Sequence, residues 1–119
     1  MYTIYVDAGF KENSGHISWY NKTTDKTFYE KRMCKDSFIC EYEAIIKALE
    51  DHKDIIENNE VEILMDGRTV ADQLNRKAAL NRDDIREMAM KVWGLTSGKK
   101  VRFQWIPRKQ NLAGKMLGS

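Results

Sequence analysis

Three acidic side chains stand out because of where the local pattern puts them. Asp7 closes an alternation of Ile4 and Val6 against Thr3 and Tyr5, which is a strand pattern that ends on a charge just before a polar stretch. Asp66 holds the same place after the apolar run of residues 61–65. If these two strands lie parallel and adjacent, both carboxylates meet at the rim where α/β sheets commonly bind ligands. Singly, each aspartate has the ordinary explanation of a turn residue, and Asp66-Gly67 is a common turn pair. Glu41 is less ordinary. It shares a helical line with Ile45 and Ala48 and sits on the shoulder of a buried face, whereas Glu43 points to solvent. A carboxylate there is costly without a partner, and another acid serves as one only with a metal between them. A glutamate at the stripe edge with its head in water is the plain alternative.

The elements that must position these acids are legible from periodicity. Residues 2–8, 17–20 and 27–32 read as strands on short connections, hence an antiparallel meander. From Ser37 the period lengthens. Phe38, Tyr42, Ile45, Leu49 and Ile56 mark one long amphipathic helix, with Asp36 or Ser37 as its cap and Glu43, Lys47, Glu50, Asp54 and Glu57 on its wet face. A strand at 61–65 leads to a helix at 68–75. A further helix starts at 81–84 with acids in its first turn, runs through Ile85, Met88, Ala89 and Val92, and stops at Gly94 or Gly98. Val101, Phe103 and Trp105 alternate in a last strand, which Pro107 ends, and residues 109–117 form a final short helix. The order predicts a single α/β domain with a mixed sheet and flanking helices, because a strand that returns parallel needs a helical crossover.

With 42% hydrophobic and 32% charged residues in 119, the chain is neither disordered nor a small disulfide scaffold. It has no apolar run of membrane-spanning length and no signal-like start, so a cytoplasmic address without a membrane partner is expected. Cys34 and Cys40 lack zinc spacing and are expected as free, buried thiols. Trp19, Trp93, Trp105, Met88 and Met90 are expected to pack in the core. His16 is expected on a surface hairpin, with reach to the carboxylates as its alternative. The net charge of +2 hides a division: residues 1–87 carry 13 basic and 18 acidic side chains, and residues 88–119 carry seven basic and none acidic. Lys99, Lys100, Arg102, Arg108, Lys109 and Lys115, with Arg68, are therefore candidates for contact with a phosphate backbone, against the alternative of a merely solvated surface.

Four segments also carry a resemblance: YVDAGFKENSGHISWY, CEYEAIIKALE, VEILMDGRTVADQL and WIPRKQNLAGKML. In that order they resemble the hairpin, glutamate helix, aspartate strand and closing turn of the type 1 ribonuclease H family. The resemblance implies a five-stranded mixed sheet. It also implies that Asp7, Glu41 and Asp66 are the catalytic and metal-holding acids, binding Mg²⁺ or Mn²⁺ as a pair with Asp7 as the bridge. The substrate implied is the RNA strand of an RNA/DNA hybrid; a monomer is expected. The chain departs from the family at the fourth carboxylate, where Lys115, or Gly114 in a shifted register, stands in its place. That departure weakens the expected hold on one of the two ions and the expected activity with it. Two alternatives follow from it: a non-cleaving module that binds hybrid or double-stranded RNA, and a protein-interaction domain with vestigial acids.

Overall fold

A computed structural model describes residues 1–116. Strand β1 (Tyr2–Lys11) is central, pairing antiparallel with β2 (Ser14–Asn21) and parallel with β4 (Val61–Met65). Strand β3 (Lys26–Arg32) joins β2 antiparallel, and β5 (Val101–Trp105) joins β4 parallel, which gives the order β3-β2-β1-β4-β5. This is the mixed five-stranded sheet with flanking helices expected from the sequence. The first hairpin is longer than the alternation suggested because Glu12 and Asn13 both adopt positive φ, 53° and 65°, in a two-residue turn that keeps the strands paired to their ends.

Alternation along the central strands separates two apolar layers. Ile4, Val6, Ile63 and Met65 enter the main core with helix α1 (Ser37–Asp51), while Tyr5 and Leu64 pack on a smaller cluster with Ile106 and Ala113. Each fully buried aliphatic side chain here contributes roughly 1.5–3 kcal/mol. Helix α1 begins at Asp36, whose carboxylate accepts the Ile39 N–H at 3.0 Å. It buries Cys40, Tyr42, Ala44, Ile45, Ile46, Ala48 and Leu49, more than one stripe, because it packs on the sheet and on α4 (Asp83–Thr96) as well. Arg82 ties the two helix starts together through ion pairs to Asp36 at 2.7 Å and Asp84 at 2.8 Å.

Several expectations are corrected. The long helix is two, because His52, only 5% exposed, turns its N–H to the Leu49 carbonyl and sets its Nδ1 2.7 Å from the Ala48 carbonyl oxygen, so that α2 (Lys53–Asn58) starts afresh. Phe38 is exposed, since it lies in the first turn ahead of the covered stretch. Met90 falls off the Ile85, Ala89 and Val92 face of α4 and is exposed too. Cys34 and Cys40 are not free thiols but a disulfide: the bend between β3 and α1 brings their Cα atoms to 5.5 Å, within bridging range. Trp19 is buried, donating its indole N–H to Asp51 at 2.8 Å, and Trp93 is partly buried. The closing helix of residues 109–117 is divided into a 3-10 turn, Arg108–Gln110, and α5 (Leu112–Met116); position 117 lies outside the described residues.

Candidate active site

The parallel register pairs Tyr5 with Leu64, so continuing it two residues sets Asp7 level with Asp66 at the C-terminal end of adjacent strands. Glu41 comes from α1, one turn after the cap. All three carboxylates line one narrow pocket of about 10 Å³, floored by Val6, Ala44, Ile45, Met65 and Val70. Gly67 makes room for the third acid: a Cβ built at that position would lie 2.1 Å from Glu41 Oε2. The carboxylate of Glu41 thus lies where a side chain would otherwise stand, against the backbone that follows Asp66. Short helix α3 (Arg68–Leu74) starts immediately beyond.

Electrostatics follow from this crowding. Burial, and then the charge of Asp66, raise the Asp7 carboxyl from 3.8 to about 6. Burial again comes first for Glu41, with Asp66 and Asp7 adding to it, and its carboxyl rises from 4.5 to about 7. His16 and Arg108 partly offset the effect at Asp7, and Arg108 does so at Glu41. Among the described residues no three His, Cys, Asp or Glu side chains form a ready-made metal cage, so a cation would draw these acids inward.

On its other side, Asp7 and Asp66 border a wider cavity of about 260 Å³ that also meets His16, Arg108, Lys109, Asn111, Gly114 and Lys115. Asn111 is the residue that sequence reasoning did not single out for the site. It is 1% exposed, and its Nδ2 donates to the Val6 carbonyl at 2.8 Å and to Asp66 Oδ2 at 3.0 Å, while its Oδ1 accepts the Ala113 N–H at 3.1 Å. It binds β1, Asp66 and the start of α5 into one unit. Its signal was present in the Pro-Arg-x-x-Asn turn at residues 107–111. His16 lies on the first hairpin, as expected, and is partly buried. Its ring covers Gly9, where a Cβ would fall 2.1 Å from Cε1, stacks on Tyr29 with centroids 5.6 Å apart, and lines the wide cavity.

The basic candidates divide between two ends of the sheet. Arg108, Lys109 and Lys115 are on the wide cavity. Arg68 is beside the rim, its guanidinium 5.2 Å from the Trp105 ring centroid. Trp105 is 38% exposed rather than in the core, because its indole N–H reaches the Asp66 carbonyl at 3.2 Å on the edge strand. Lys99 and Lys100 lie apart from this set: they precede β5, where the Lys100 carbonyl accepts the Val61 N–H at 2.9 Å at the opposite end of β4 from Asp66. Lys99 is paired with Glu57 at 2.8 Å and Arg102 with Glu62 at 3.3 Å.

Solved structures that share this architecture include ribonucleases H1. The enzyme of the halophilic archaeon Halobacterium salinarum NRC-1 superposes with a TM-score of 0.86 at 22% identity, covering 98% of this chain and 92% of that one. LC11-RNase H1, isolated from compost by a metagenomic approach and solved in complex with an RNA/DNA hybrid, gives 0.86 at 22% over 97% and 92%. The N-terminal ribonuclease H domain of a Mycobacterium tuberculosis protein gives 0.78 at 18% over 97% and 90%. The fold is therefore that of ribonuclease H1. The family model described as reverse transcriptase-like matches residues 22–118, and the chain belongs to that ribonuclease H-like family, in line with the resemblance drawn from its motifs. Among curated proteins no sequence relative matches.

Proposed function

We propose that this protein is a divalent-metal-dependent endonuclease of the ribonuclease H type that hydrolyses the RNA strand of RNA/DNA hybrids. The observation that carries this reading is the gathering of Asp7, Glu41 and Asp66, from three separate elements, around a single pocket. Family membership supports it, as does the hybrid held by LC11-RNase H1.

The donor set fits Mg²⁺ or Mn²⁺. Three carboxylates offer only hard oxygen atoms, and burial together with the charge of Asp66 raises the carboxyls of Asp7 and Glu41 despite Arg108, so added positive charge is favoured there. Asp7, Glu41 and Asp66 would hold the ion. Bound there, it supplies a Lewis acid for a phosphoryl oxygen and acidifies a water. The chain's own residues do the rest. Asn111 fixes one Asp66 oxygen, Gly67 admits the Glu41 carboxylate, and the apolar floor keeps bulk water from beneath the acids. Arg108 lends positive charge to Asp7 and Glu41 from across the opening. RNA is told from DNA at such a site by its 2′-hydroxyl.

The test is cleavage of a labelled RNA/DNA hybrid with Mg²⁺ and with Mn²⁺, beside Asp7→Asn. Cutting that vanishes in the variant supports the proposal; no cutting, or cutting indifferent to the substitution, rejects it. One observation favours a second reading, a module that binds hybrid or double-stranded RNA without cutting: the last acid in the chain is Glu87, and Lys115 lines the cavity beside Asp7. Salt-dependent retention of an uncut hybrid is the result that selects it.

A further inference from the structure

The two compartments that meet at Asp7 and Asp66 differ in size and in charge. The narrow one, at about 10 Å³, has room for roughly one water-sized particle and is walled by three acids. The wide one, at about 260 Å³, is smaller than the roughly 300–1,000 Å³ that drug-sized ligands occupy, and its far wall is cationic: Arg108, Lys109 and Lys115, with His16 beside them. Among the described residues these three cations have no carboxylate within ion-pairing distance, whereas Lys99 and Arg102 are committed to Glu57 and Glu62.

We infer that the wide cavity is an oxyanion site for a phosphate group, and that the centre consequently takes one divalent cation, in the narrow pocket, rather than a pair. The inference rests on the proposed function and deepens it. A second divalent ion in the wide cavity would have Asp7 and Asp66 on one side and would face three like charges on the other. A phosphate there meets the reverse, donors from Lys115, Lys109 and Arg108, while a cation in the narrow pocket neutralises the acids behind it. Lys115 then stands for the missing second ion as a fixed positive charge. Where the sequence led to two ions with one weakly held, the cavity walls leave one.

Two measurements on the full chain decide the matter. With Mg²⁺ present to neutralise the acids, backbone amide NMR is followed during titration with inorganic phosphate and, separately, with a dinucleoside monophosphate. Saturable shifts at Gly9, Asn111 and Gly114, with affinity lowered about tenfold by Lys115→Gln and unchanged by Lys53→Gln, support the site. Saturation by inorganic phosphate alone assigns it to a free or terminal phosphate; saturation by both probes assigns it to the phosphate within a strand. Shifts that never saturate, or that ignore Lys115→Gln, overturn it. In phosphate-free buffer, Mn²⁺ binding counted by electron paramagnetic resonance gives one ion per chain; two ions per chain overturn the inference. No bound Mn²⁺ removes the metal-dependent reading and this inference together, while one bound Mn²⁺ with an uncut hybrid removes catalysis alone.

Discussion

The carboxyls of Asp7 and Glu41, raised to about 6 and about 7, make the metal-free protein work against its own site. Between about pH 4 and pH 7 the folded chain keeps protons that the unfolded chain has released, so stability falls as pH rises through that window. In EDTA at about pH 7.5, Glu41→Gln is therefore expected to melt above the parent protein, and to gain less from added Mn²⁺. A variant that melts lower under those conditions contradicts the electrostatic account. Gly67 offers a separation of fold from site. Its neighbour is the far end of a flexible side chain, so Gly67→Ala is expected to leave the melting temperature nearly unchanged while it pushes the Glu41 carboxylate aside and lowers Mn²⁺ affinity about tenfold. Retained affinity, measured by the same ion titration, would show that the glycine serves only the turn. Asp7, Glu41 and Asp66 could be singled out from strand ends and a helical stripe, whereas Gly67 read as a turn residue because close approach by a distant side chain leaves no local trace.

At the scale of elements, the position of Glu41 is set by how the start of α1 is held. Asp36 caps the helix, Arg82 links that cap to α4, and the disulfide ties Cys40, the residue before Glu41, to Cys34 in the preceding bend. Closing so short a loop restricts the unfolded chain by roughly 2 kcal/mol. Reductant, or Cys34→Ser, is accordingly expected to lower stability by about that amount in denaturant titrations, and both treatments together should do no more than either; additive losses would mean that the sulfur atoms act separately. Neither this bridge nor the end of α1 at His52 was legible. Spacing of six residues says nothing about a bend that closes it, and the apolar period runs through His52 to Ile56 without a break. Beside the backbone bond from His52 to the Leu49 carbonyl, the bond to the Ala48 carbonyl comes from a side chain buried against Trp19, with ring centroids 4.4 Å apart, and that is a tertiary fact.

For the molecule as a whole, the order of strands and helices could be read because each strand has its own period and the connections are short. The charge division could be read only in part. The basic stretch after Glu87 looks continuous along the chain, yet β5 crosses the sheet within it, so Lys99 and Lys100 emerge at one end and Arg108, Lys109 and Lys115 at the other. Sequence proximity along a strand means spatial distance, and it is the later group that shares a cavity with the acids. Trp105 moved to the surface for a related reason: β5 is an edge strand, covered less than its neighbours. The bond from Asn111 to the Val6 carbonyl, 105 residues earlier, has a consequence for biosynthesis. A ribosome adding roughly 5–20 residues per second makes Asp7 about 5–20 s before the amide that latches its strand. During that interval the β1–β3 meander can form on the nascent chain, but the rim stays open until the segment that carries Asn111 has been added.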